Sequence, residues 1–246
     1  VERLSEYLEH NALNKRALLE YRETLAENFS SRTVNTKLAA INGYLAFIGV
    51  DEYKVHLLKV QRKAFIAENR ELSAAEYKRL VNAADASGND RLSLVMQTIC
   101  ATGIRISELS YITVDAVKER RMEIRLKGKS RTVIIPSKLC KKLVEYARRQ
   151  RIDTGAVFRT KGGKPLDRAN VCHDMKRLCD AAHVERSKVF PHNLRHLFAR
   201  AFYSIEKNLS HLADVLGHSS IETTRIYVAA SSRQYERMLD KMKLVT

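Results

Sequence analysis

The sequence predicts a mainly helical protein with a small antiparallel β-sheet, built in two parts. Three observations carry this. Apolar residues recur at helical spacing through the first 60 residues. Period-2 alternation is confined to one short region, 121–135. The charge changes along the chain: residues 1–70 carry 11 Lys/Arg against 9 Asp/Glu, and residues 71–246 carry 33 against 19.

The elements follow in order. Residues 14–29 place Ala17, Leu18, Tyr21 and Leu25 on one helical face. Ser31 is the expected N-cap of a second helix over 33–47, striped by Val34, Leu38, Ile41 and Leu45, and Gly49 ends it. Residues 54–60 read as a further short helix or turn. Residues 59–72 (KVQRKAFIAENREL) are charged and weakly periodic, as a linker would be. The parts are therefore expected to be 1–67 and 68–246. In the second part, Ser73 and Glu76 have capping-box spacing and open a helix through residue 84. A loop over 85–90 precedes an apolar helix over 91–101, which Thr102-Gly103 breaks before a helix carrying Arg105. Met122, Ile124 and Leu126 alternate on one strand, and Val133 and Ile135 on the next, with Lys127-Gly128-Lys129-Ser130 as the hairpin turn. Residues 156–159, with the turn at 161–164, are expected to add a third short strand. Helices resume at 167, and the tail at 232–246 has Tyr235, Met238, Leu239 and Met242 on one stripe.

Composition narrows the function classes. A chain of 246 residues that is 45% hydrophobic and 29% charged can bury a real core. Residues 1–10 are polar and acidic, unlike a secretion signal. The most apolar stretch, 38–50, is interrupted by Asn42 and Gly43 and falls short of the roughly 18 residues a membrane span needs. A cytoplasmic protein without membrane association is expected. Val1 stands where a Met would start a chain, which leaves open whether a segment precedes it. Cys100, Cys140, Cys172 and Cys179 form no CxxC pair and read as reduced packing thiols; Cys172 and Cys179 lie two turns apart on what reads as one helix face. The net charge of +16 and pI near 9.8 favour a polyanionic partner.

Three strings carry the chemistry. ATGIRISEL holds Arg105, with Glu108 three residues on to hold its guanidinium fork for bidentate phosphate contact. PHNLRH holds His192 and Arg195, one helical turn apart after a proline suited to a helix start. LGHSSIETTRIY holds His218 and Tyr227. Two arginines suit a phosphodiester clamp, imidazoles move protons, and a phenol attacks once its proton is taken. No carboxylate cluster accompanies them, so metal-free covalent chemistry on a nucleic-acid backbone is expected, with no cofactor. His192 and His196 also have the spacing of two zinc ligands on a helix, but Asn193 stands where the metalloprotease pattern needs Glu.

Together these strings resemble the tyrosine recombinase family, which includes phage integrases and Xer-like enzymes. GIRISEL resembles its first arginine box, HNLRH its His-x-x-Arg box, and LGHSSIETTRIY its His-to-nucleophile box. The sequence departs from the family where Asn193 follows the first histidine and where Leu197 follows His196. The resemblance implies a two-domain DNA clamp, a helical core-binding domain followed by the catalytic domain. It implies a site-specific DNA recombinase or integrase acting through a 3′-phosphotyrosine. Tyr227 would be the nucleophile, with Arg105, His192, Arg195 and His218 around the phosphate. Lys127, or else Lys129, would be the hairpin lysine that protonates the leaving oxygen. It further implies double-stranded recombination sites as partner and a tetramer joined through the tail, with room for accessory DNA-bending or directionality proteins. Arg32, Thr33, Lys37, Arg62, Lys63, Lys78, Arg79, Lys129 and Arg131 are the expected DNA contacts. A type IB topoisomerase-like enzyme, a non-catalytic DNA-binding regulator on the same scaffold and a zinc hydrolase are the competing classes.

Overall fold

The computed structural model describes residues 2–8, 12–59, 71–126, 128–160, 162–228 and 240–242. The chain divides into two compact units, Val1–Lys63 and Ala64–Thr246. The expected boundary at 67/68 falls among residues 60–70, outside the described residues, as do Arg62 and Lys63.

The first unit holds α1 (Glu2–Leu8), α2 (Lys15–Asn28) and α3 (Ser31–Phe47). Helix α1 was not anticipated; its Leu4 joins Leu18, Tyr21, Leu25, Val34, Leu38, Ile41, Leu45 and Val55 in one core. The Asn14 side chain caps α2 by accepting from the Ala17 N–H at 2.9 Å. The cap of α3 is Ser30 rather than Ser31, one residue earlier than the apolar stripe suggested. Beyond Gly49, which takes the left-handed conformation (φ +77), a 3₁₀ turn spans Asp51–Tyr53. Residues 54–59 are not helical. Asn42 exchanges two hydrogen bonds with the Val55 backbone, at 2.9 and 3.1 Å. Asn35, two turns earlier on α3, does the same with Leu58, at 2.9 and 2.8 Å. These amides take the backbone groups that a helix at 54–60 would have needed.

The second unit is, among the described residues, mainly helical with a two-stranded antiparallel sheet. Helix α4 (Ala74–Ala86) opens on the reciprocal Ser73–Glu76 capping box. Helix α5 (Asp90–Thr102) runs through the middle of the core, with Leu92, Leu94, Val95, Met96 and Ile99 all buried. A 3₁₀ turn (Ile106–Tyr111) and α6 (Val114–Glu119) lead to β1 (Arg121–Leu126) and β2 (Lys129–Ile134). Leu126 pairs with Lys129, so the second strand starts two residues earlier than alternation indicated, and Gly128 turns at φ +75. Met122, Ile124, Val133 and Ile135 are buried while Ile134 is 64% exposed, as period-2 alternation requires. The expected third strand is reduced to two isolated bridges, Thr113 with Ala156 and Arg159 with Pro165.

Helix α7 (Ser137–Arg149) packs on α5 and α6. Helix α8 (Arg168–Arg177), capped by Asp167, and the short α9 (Cys179–Ala182) follow. The break at Leu178 separates Cys172 from Cys179, so they do not share one helix face; all four cysteines are free thiols. Helices α10 (Pro191–Ile205), α11 (Leu209–Leu216) and α12 (Ile221–Val228) complete the unit. In the tail, residues 240–242 are helical and Met242 is 55% exposed; 229–239 and 243–246 lie outside the described residues. Among the described residues no helix is long and apolar enough to cross a membrane.

Candidate active site

Two helix ends build the floor of the site. Helix α5 stops at Gly103, whose φ is +66; a Cβ there would lie 2.4 Å from a Phe198 ring carbon. Helix α11 stops at Gly217 (φ +65), where a Cβ would meet the Arg131 side chain at 2.5 Å. Both positions require glycine for backbone and for space. The helix ends leave carbonyls unpaired and carry partial negative charge. Arg195 answers both: Nη1 donates to Gly103 O at 2.5 Å and Nη2 to Leu216 O at 2.7 Å. Its guanidinium is almost fully enclosed, 1% exposed. Burial, then neighbouring Arg105, pushes its pKa down to about 10, so it keeps its charge at neutral pH.

Glu108 organises the other two arginines. Arg105 does not lie in an α-helix; it caps the 3₁₀ turn, and the Glu108 carboxylate reaches back to it. Oε2 accepts from the Arg105 backbone N–H at 2.7 Å, and Oε1 from its Nη1 at 3.0 Å. Oε2 also accepts from Arg131 Nη2 at 2.6 Å. Glu108 is wholly buried, the Arg131 side chain 11% exposed and the Arg105 side chain 42%. Arg131 faces inward because it sits opposite Ile124 in the hairpin register, and its Nη1 donates to the Val215 carbonyl at the end of α11. Arg131, one of the expected DNA contacts, uses its guanidinium in this structure to tie Glu108 to the end of α11. Burial chiefly lowers its pKa, with Glu108 opposing.

Tyr227, on α12, is 6% exposed and enclosed by rings. Its hydroxyl lies 3.2 Å from His192 Nε2. His196 stacks on it, with centroids 4.2 Å apart and planes 20° off parallel. The His218 ring centroid lies 5.1 Å away, and Arg195 Cζ 6.0 Å. His218 Nε2 is 3.0 Å from Arg195 Nη2, and its Nδ1 is 2.9 Å from Thr224 Oγ1. Burial and the surrounding arginines hold the imidazoles neutral: His218 falls to about 4 and His196 to about 3. His192 is held below its ordinary value by burial, then Arg195, Arg168 and Arg105. His192 keeps over a third of its surface open to solvent.

The structure thus gathers Arg105, His192, Arg195, His218 and Tyr227 in one cluster. His196 and Thr224 belong to the same cluster and were not anticipated in it. In the sequence His196 stands out only by its zinc-ligand spacing, although four residues from His192 puts it on the same helix face. Among the described residues no group of three or more His, Cys, Asp or Glu stands where it could hold a metal ion. Lys127 lies outside the described residues, and Lys129 opens β2. Arg32, Thr33 and Lys78 are exposed, and Lys37 lies with Nζ 4.8 Å from the Phe29 ring centre. Arg79, also exposed, donates to the Ala182 and His183 carbonyls at 2.8 and 3.1 Å, closing the end of α9.

This fold and site define a protein class. The family model for the phage integrase family matches residues 70–234, and the chain belongs to that family, the tyrosine recombinases. Among its relatives, tyrosine recombinase XerA of Thermococcus kodakarensis is 30% identical over 250 residues, spanning 97% of this chain and 86% of the relative. The crystal structure of XerH site-specific recombinase bound to difH substrate, a pre-cleavage complex, shares the fold with a TM-score of 0.71 at 21% identity, covering 95% of this chain and 72% of that one. The Tn1549 transposon integrase in complex with transposon right end DNA does so with a TM-score of 0.71 at 15% identity, covering 99% and 92%.

Proposed function

We propose that this tyrosine recombinase cuts and rejoins duplex DNA at specific sites, with Tyr227 as nucleophile. The observation that carries the assignment is the 3.2 Å contact between the Tyr227 hydroxyl and His192 Nε2 inside a ring of arginines. His192 is neutral at physiological pH and so has a lone pair to take the phenol proton. The phenolate oxygen bonds to phosphorus as the bond from phosphorus to the 5′ oxygen breaks. The products are a 3′-phosphotyrosyl enzyme and a 5′ hydroxyl. Arg105, Arg195 and His218 face the non-bridging oxygens, where negative charge accumulates. Lys127 is the candidate donor to the leaving oxygen and Lys129 the alternative. The covalent bond conserves the energy of the phosphodiester, so a second 5′ hydroxyl reverses the step without ATP.

The XerH structure is bound to difH substrate and the Tn1549 integrase structure to transposon right end DNA, and the +14 balance of residues 71–246 suits a DNA partner here. A clamp of both units around DNA, and a tetramer joined through residues 232–246, extend this reading. The test is covalent capture. The protein is mixed with fragmented genomic DNA in EDTA, denatured in SDS, and the linked DNA sequenced. Adducts sharing one sequence are expected, and none with Tyr227→Phe. Adducts that persist in that variant would remove Tyr227 from the role.

A further inference from the structure

A neutral imidazole has one N–H and one lone pair, and a guanidinium only donates. Arg195 Nη2 sits 3.0 Å from His218 Nε2, so Nε2 is the acceptor and the ring proton resides on Nδ1. Nδ1 is 2.9 Å from Thr224 Oγ1, which must then accept that proton's hydrogen bond. Thr224 is fully buried, so water does not compete for its hydroxyl. It also lies three residues before Tyr227, on the same helix α12.

We infer that Thr224 is a positioning residue: its hydroxyl fixes the Nδ1–H tautomer of His218 in the DNA-free enzyme, so that the Nε2 lone pair orients Arg195. The chain of donors runs Arg195 Nη2 to His218 Nε2, then His218 Nδ1 to Thr224 Oγ1. Both Nη2 hydrogens are thereby committed, one to Leu216 O and one to His218. The guanidinium plane is set before a phosphate arrives. The low proton affinity of His218 agrees with a ring that stays neutral between these partners. A hydroxyl suits this place because it can accept or donate. When a phosphate oxygen takes over Arg195, the ring can give up its Nδ1 proton and take one at Nε2 by exchange with solvent, and the same hydroxyl then turns to donate to Nδ1. Valine, of the same shape, does neither.

The consequence for catalysis rests on the proposed phosphotyrosine chemistry, but the tautomer itself does not. The full-length DNA-free protein, labelled with ¹⁵N-histidine, is examined by two-bond ¹H–¹⁵N correlation, with His218 assigned from the spectrum of His218→Gln. The Nδ1–H pattern is expected for His218. In Thr224→Val the pattern shifts away from pure Nδ1–H, and cleavage of the captured DNA falls by about tenfold to 10²-fold, the scale for loosened orientation of a catalytic group. DNA binding stays unchanged. Thr224→Ser retains the wild-type pattern and most of the rate. An Nε2–H pattern in the wild type overturns the inference, as does an unchanged pattern in Thr224→Val. A Thr224→Ser enzyme as slow as Thr224→Val also overturns it, by leaving only packing. Should Thr224→Val not fold, the wild-type and serine spectra decide alone. A wild-type protein with the Nδ1–H pattern but no Tyr227-dependent adduct would instead count against the proposed function.

Discussion

Glu108→Gln keeps the shape of the buried side chain and removes its charge. The amide oxygen can still accept from the Arg105 backbone and from Arg131, as Oε2 does now. Its NH₂ must then face Arg105 Nη1, donor against donor, and the guanidinium swings away. The energetic weight differs between the two arginines. Arg131 and Glu108 are 11% and 0% exposed, so removing that compensating charge falls at the low end of the range for breaking a buried pair, about 3 kcal/mol. The Arg105 side chain is 42% exposed, and solvent screens its share to roughly 1 kcal/mol or less. For a unit of this size, about 2–4 °C is lost per kcal/mol. A circular dichroism melt should therefore show the Ala64–Thr246 unit melting about 6–16 °C lower. Covalent adduct formation should fall more than DNA binding, because Arg105 loses its aim before its charge. A melting point within about 2 °C of wild type would show that Glu108 is not the organiser described here.

Three histidines whose folded pKa values lie below 6.5 give a pH dependence of definite sign. The unfolded chain binds the extra protons first, so this contribution to stability is complete above about pH 6.5. It is lost as pH falls toward about 4 for His218 and about 3 for His196. His196→Phe keeps the stacking on Tyr227 and removes one titration; melts between pH 4 and 7 should then show a shallower slope than wild type, and an equal slope would contradict the assigned shift. For the same reason adduct formation should hold at pH 6.5 and fall only as pH drops through the lowered pKa of His192. DNA affinity should drop by about 10³ to 10⁵ between 50 and 200 mM salt if roughly 6–10 phosphates are contacted. Lys78→Ala should reduce that salt slope by about one. Arg79→Ala should leave it unchanged, since its guanidinium already closes α9 on two carbonyls; the reverse ranking would show that Arg79 leaves α9 for the DNA.

What the chain alone determined was whatever is encoded over one or two turns. Helical periodicity located α2 and α3, the Ser73–Glu76 spacing marked the start of α4, and period-2 alternation marked the hairpin. Arg105 with Glu108, and His192 with Arg195, were legible because three residues is about one turn, 3₁₀ in the first case and α-helical in the second. Tertiary structure decided every partner chosen across longer separations. An arginine on a strand does not announce its partners; Arg131 found Glu108, 23 residues away, and the end of α11. Residues 54–59 lost their helix to Asn35 and Asn42, the second of which reads in the sequence only as an interruption of an apolar stretch. His196 and Thr224 acquired their places only when α12 docked and brought Tyr227 and His218 against them. Local spacing fixes which side chains share a face, but a buried polar group must find its partner wherever the folded chain brings one, because burial without a partner costs more than the bond returns.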